Sequence, residues 1–149
     1  MTIKGVSGFK VACTDIERSV AFYRCAGFEP AGPVSASAHA WLADLYGVSD
    51  PRVKSLAMVR ADDPKSPRME LLEWAERAEG AKDASAAGSA MLILRSDDLQ
   101  GDCAALEAAG GTVVSAPVSL PAPAGVTWLV NVRDPDGFGV QLVQFVRAG

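Results

Sequence analysis

Histidine is nearly absent from this chain: His39 is the only one in 149 residues. A lone histidine can serve as a general base near neutral pH. His39 sits in a run of small residues, so a solvent-exposed loop histidine is the expectation. The cysteines are few and odd in number, and Cys13, Cys25 and Cys103 show neither a CxxC pair nor a Cys/His metal spacing. They read as buried thiols of a reducing cytoplasm. Positive charge is in deficit, with 14 Lys and Arg against 18 Asp and Glu and a net charge of −4. No basic stripe exists to displace counterions from a phosphate backbone, which argues against a nucleic-acid partner. Long apolar runs are missing too. Nothing approaches the ~20 residues a membrane span needs, and the start, MTIKGVSGFKVAC, lacks a signal-peptide core. No membrane partner and a cytoplasmic location are therefore expected.

What is present is an ordinary globular composition, 49% hydrophobic and 21% charged. The length suits one domain, or two small pseudo-repeats sharing a core. Residues 131–146, NVRDPDGFGVQLVQFV, hold two strand-like runs around Asp134-Pro135-Asp136-Gly137. Pro presets the φ of a turn's second position and Gly closes it. The return strand is apolar on both faces, so Gln141 in its middle must find a hydrogen-bond partner or a ligand.

In chain order, residues 8–14 alternate as a strand. Thr14-Asp15-Ile16-Glu17 matches a capping box with Thr14 as N-cap. The following helix carries Ile16, Val20 and Tyr23 at helical spacing and stops at Gly27. Residues 28–34 form a short strand and 35–40 a loop. Residues 41–46 form a helical segment ending at Gly47, and 53–60 and 68–74 are strands. After a linker at 76–88 the plan repeats: strand 90–96, helix from Asp97-Asp98 to Gly110, short strand 112–115, proline-rich loop 120–125, and strands 126–132 and 138–146. One offset places Gly8 on Met91, Ile16 on Leu99 and Tyr23 on Leu106. Another places Met69-Glu70-Leu71 on Val140-Gln141-Leu142. The chain thus reads as an internal repeat of two β-α-β-β-β modules, residues 5–75 and 89–147, in a single α+β domain.

The segments FKVACTDIERSVAFYRCAGF, RMELLEW, MLILRSDDLQ and DPDGFGVQLVQF, in that order, resemble the vicinal oxygen chelate superfamily of glyoxalases, epimerases, extradiol dioxygenases and bleomycin-resistance proteins. The resemblance implies a glyoxalase-like fold whose modules curl their mixed sheets into an open barrel, and often a homodimer. It also implies a divalent metal held at positions that here are Gly8, Glu70, Met91 and Gln141. Only Glu70 is a typical ligand. Gln141 offers an uncharged amide oxygen, Met91 a soft thioether and Gly8 nothing, whereas catalytic zinc wants three good donors and an open position. No bound cofactor is expected, or at most a weak divalent metal.

Lys10 shares a strand face with Gly8, and Arg68, Glu70, Leu72 and Trp74 share a face of the module's last strand. In the family these faces line one cavity, so Lys10 and Glu70 are expected to approach each other, since a buried charge needs a partner. Trp41, Tyr46, Trp74 and Trp128 are candidates for an aromatic pocket or for core packing. Two readings follow. The first is a glyoxalase/bleomycin-resistance-like protein with a degraded metal site. It would bind a small aromatic or amphipathic molecule through Trp74, Met91, Gln141, Val143 and Phe145, with Glu70 and Lys10 as its charged pair. The second is a lyase, isomerase or dioxygenase-like enzyme, with Glu70 and Lys10 as its catalytic candidates, that uses Glu70 as base or keeps a weak metal on Glu70, Gln141 and waters.

Overall fold

A computed structural model describes residues 5–77 and 89–149. The backbone forms two compact units, Met1–Glu79 and Gly80–Gly149. Of the expected linker at 76–88, all but residues 76 and 77 lies outside the described residues.

The first unit runs β1 (Gly8–Cys13), α1 (Ile16–Cys25), β2 (Phe28–Pro30), β3 (Ser35–Ser37), α2 (Ala40–Tyr46), β4 (Val53–Arg60) and β5 (Arg68–Trp74). Its sheet order is β1-β5-β4-β2, with β3 also on β4. β1 and β5 are parallel and the other pairs antiparallel. The second unit runs β6 (Met91–Arg95), α3 (Leu99–Ala108), β7 (Thr112–Val113), β8 (Val118–Ala122), β9 (Gly125–Arg133) and β10 (Gly139–Arg147). Its order, β6-β10-β9-β7 with β8 on β9, repeats the first. The registers match both sequence offsets: Gly8 pairs with Arg68 as Met91 pairs with Gly139, and Lys10 with Glu70 as Ile93 with Gln141. The result is an α+β protein of two mixed five-stranded sheets, neither closed into a barrel, and no described helix is long and apolar enough to cross a membrane.

Each module therefore has one strand more than expected. β3 falls in residues read as loop, and β8 reaches into the proline-rich stretch. Both are edge strands on a single neighbour, the place where Pro121 can lack an N–H without breaking a ladder. The N-cap of α1 is Asp15, not Thr14. Its carboxylate accepts from Arg18 N at 3.0 Å, while Thr14 Oγ1 accepts from the Arg18 guanidinium. The buried stripe of α1 is Ile16, Ser19, Phe22 and Tyr23, with Val20 only half-buried. Cys25 falls off that stripe and is exposed, and Cys103 is half-buried, so only Cys13 is the buried thiol expected of all three.

Strand alternation sorts the first sheet. Val11, Leu56, Met58, Met69 and Leu71 are buried on the face that α1 covers. The opposite face carries Lys10, Glu70, Leu72 and Trp74. There α2 packs Leu42 onto Val53 and Leu72, with Tyr46 and Trp74 at the margin. Gly47 ends α2 in the left-handed region, φ 65°, where a side chain would be strained. The second unit has no counterpart of α2: β8 ends at Ala122 and β9 begins at Gly125.

Candidate functional site

Lys10 and Glu70 are register partners on parallel strands, so both side chains leave the sheet on the same side. Lys10 Nζ lies 2.8 Å from Glu70 Oε2 and also donates to Tyr46 Oη at 2.6 Å. Its ammonium stands 5.3 Å from the centre of the Tyr46 ring. The Glu70 carboxylate, and then the Tyr46 oxygen, raise the Lys10 pKa above its ordinary value. The Lys10 and Glu70 side chains are 49% and 34% exposed, so water reaches the pair and its contribution to stability is small. Tyr46 packs on Trp74 with ring centres 4.9 Å apart. Trp74 also lines a cavity of about 450 Å³ with Arg52, Val53, Lys54 and Glu73. Glu73 belongs to the scaffold. It accepts from Ile16 N at the start of α1 at 2.9 Å and meets Lys54 at 3.0 Å, and these hold its pKa below the ordinary value.

The other expected residues lie apart from this group in the sequence. Met91, Gln141, Val143 and Phe145 belong to the second unit, on the sheet face away from α3. Gln141 Nε2 donates to Asn131 Oδ1 at 2.9 Å, which supplies the partner its strand position demanded. Ile93, on the same face, is 63% exposed and Phe145 48%. Met91 packs against Gly139, where an added Cβ would meet the Met91 side chain at 3.2 Å. Gly8 is tighter still: a Cβ there would lie 2.5 Å from the backbone oxygen of Arg68. Of the four aromatics weighed in the sequence, only Tyr46 and Trp74 meet. Trp41 stacks on exposed His39 with 58% of its own surface open. Trp128 lines a groove of about 870 Å³ between α3 and β9 with Leu99, Cys103 and Val146. The residues singled out for ligand binding do not line that groove.

A model of the Glyoxalase/Bleomycin resistance protein/Dioxygenase superfamily matches residues 5–142. The chain belongs to that superfamily. Among solved structures of the superfamily fold, it is similar to a glyoxalase family protein from Bacillus cereus, with TM-score 0.80, 16% identity, and 98% and 99% of the two chains covered. It is also similar to glyoxalase I from Zea mays, with TM-score 0.61 and 20% identity, covering 93% of this chain and 45% of that one. A third is a glyoxylase/bleomycin resistance protein/dioxygenase domain from Frankia sp. EAN1pec, with TM-score 0.56, 16% identity, and coverage of 97% and 100%. At such identities the likeness speaks for the superfamily fold alone. No curated protein matches the sequence.

The superfamily's metal can be tested against these donors. Among the described residues, no three His, Cys, Asp or Glu side chains gather into a group that could hold an ion. Glu70, the single typical ligand at the superfamily positions, already faces an ammonium at hydrogen-bond distance. The donor set does not fit a catalytic zinc centre. The sequence reaches Lys10 and Glu70 through strand alternation together with the strand order that the superfamily resemblance implies. It shows Tyr46 only as an aromatic and not its hydroxyl contact, because that contact spans 36 residues and depends on where α2 lies.

Proposed function

We propose that this chain is a metal-independent, small-molecule-binding member of the glyoxalase/bleomycin-resistance superfamily. It holds an aromatic or amphipathic ligand against the sheet face that carries Lys10, Glu70 and Trp74. The observation that carries this reading is the 2.8 Å Lys10–Glu70 pair, which puts one fixed positive charge where the superfamily's central carboxylate would otherwise meet a metal. The Tyr46–Trp74 pair and the adjoining cavity of about 450 Å³ supply apolar surface on the scale of a small-ligand site. Met91, Gln141, Val143 and Phe145 form a second, largely apolar ligand surface. No nucleic acid or membrane partner enters this reading, and the location is the cytoplasm, in keeping with cysteines that form no disulfide among the described residues.

The purified, untagged protein is expected to hold no stoichiometric zinc, nickel, manganese or iron after brief dialysis, by elemental analysis. Near one equivalent of metal, lost on Glu70→Ala, would overturn the reading. It would favour instead a lyase, isomerase or dioxygenase-like enzyme with a weak centre on Glu70 and Gln141.

The chain also pairs as a homodimer in this proposal. Leu45 on α2 and Val118 and Leu120 on β8 stand exposed, and a second copy would cover such apolar helix and strand surface. Sedimentation equilibrium at micromolar concentration is expected to give twice the 15.5 kDa chain mass. A monomer would contradict it.

A further inference from the structure

We infer that Tyr46 is a ligand-binding hydrogen-bond donor, held in place by Lys10, and that it takes the carbonyl oxygen of an uncharged aromatic ketone or similar conjugated carbonyl compound. This rests on the small-molecule reading above and specifies it. A phenol oxygen that accepts a hydrogen bond from an ammonium must point its own O–H elsewhere. Lys10 Nζ donates to Tyr46 Oη at 2.6 Å, so the Tyr46 proton is turned away from Lys10. No acceptor takes it among the described residues. The ammonium has three N–H bonds, and Glu70 and Tyr46 account for two. Two donors, the Tyr46 O–H and the third Lys10 N–H, therefore remain side by side on one sheet face.

The two donor atoms stand 2.6 Å apart, too close for both to point squarely at one oxygen, so Tyr46, whose O–H Lys10 turns outward, is the donor a ligand oxygen meets. Charge then narrows the choice. Lys10 and Glu70 neutralise each other, and a ligand carboxylate would bring a second negative charge beside Glu70 at the cost of desolvation and repulsion. Arg68, further out on the same strand face, is exposed and keeps its charge in water. A neutral carbonyl gains the Tyr46 hydrogen bond without that penalty. Trp74, 4.9 Å from the Tyr46 ring, offers a flat apolar surface for the group attached to the carbonyl. The site is thus particular to the first module, because α2 delivers Tyr46 and no such helix stands between β8 and β9 of the second module.

The test compares acetophenone with ethylbenzene, which lacks the oxygen, and benzoate, which is charged. Binding is followed by titration calorimetry, and the carbonyl carbon of ¹³C-labelled acetophenone by NMR. Acetophenone is expected to bind about tenfold more tightly than ethylbenzene, the scale of one net hydrogen bond. Its carbonyl resonance should move downfield on binding. Tyr46→Phe keeps the ring but should erase both the preference and the downfield shift. Trp74→Leu should weaken acetophenone and ethylbenzene alike and leave the shift in place. Equal binding of acetophenone and ethylbenzene, or a shift that survives Tyr46→Phe, would overturn the donor role while leaving the binding face standing. Tighter binding of benzoate would overturn the uncharged-carbonyl assignment. Failure of all three probes to bind at millimolar concentration would overturn this inference and the small-molecule reading together.

Discussion

Asp134→Ala is expected to destabilise the second unit by about 3 kcal/mol, seen as a lower urea midpoint with an unchanged m-value. Asp134 is 3% exposed in the turn between β9 and β10. Its Oδ1 accepts from Asp136 N at 3.0 Å and from Phe138 N at 2.8 Å. Its backbone carbonyl accepts from Gly137 N, and its N–H donates to the Phe138 carbonyl. Gly137 stands at φ 96°, a conformation that a side chain would strain. The carboxylate thus satisfies two amides that the reversal turns inward, and alanine would strand them with little water to replace it. Asp134→Asn keeps an acceptor oxygen without the charge, so about half the loss should return. A loss under ~1 kcal/mol for alanine, the scale of an ordinary neutral hydrogen bond, would show that the turn closes without the carboxylate.

Phe22→Ala is expected to cost the first unit about 4 kcal/mol, measured by the same denaturation or by calorimetry. Phe22 has no exposed surface. Its ring meets Tyr23 edge-on at 5.1 Å, and Tyr23 meets Phe28 edge-on at 6.3 Å. This aromatic file joins α1 to β2 and cannot collapse onto a methyl group, so a cavity adds to the lost transfer energy. Phe22→Leu retains most of the volume and should cost under ~1.5 kcal/mol. A change under ~1 kcal/mol for Phe22→Ala would mean that α1 repacks freely. Lys10 and Glu70 point to the other side of the same sheet, so their distance depends on this packing only through the strands.

The parts of the fold written in local pattern were legible. β4 and β5 fall on the residues read as strands, because each alternates or carries a sustained apolar run. The repeat was legible through two offsets, and the paired registers of the two sheets carry both. Edge strands were not. Ser35–Ser37 and Val118–Ala122 have little strand preference of their own and are held by β4 and β9, partners distant in sequence. The start of α1 slipped by one residue because Thr14 and Asp15 are both good caps, and local sequence does not choose between them. In the site, Lys10 and Glu70 were found because a strand has only two sides and because the superfamily resemblance implied that these two strands line one cavity. The hydroxyl of Tyr46 was not, since nothing in WLADLYG says which sheet face that helix will cover.

The space at Gly8 bears on which side chains β1 can carry. A β-carbon there would sit 2.5 Å from the carbonyl oxygen of Arg68, a backbone atom with no rotamer to yield. Histidine or glutamate at this position would push β1 away from β5, and with it Lys10 from Glu70. A chelating side chain could not be accommodated here by one substitution. The strands would first have to separate, at the cost of the parted ladder. The close fit acts as a lock on the donor set: the backbone of β5, and not the chemistry of the site, excludes a metal ligand at this position.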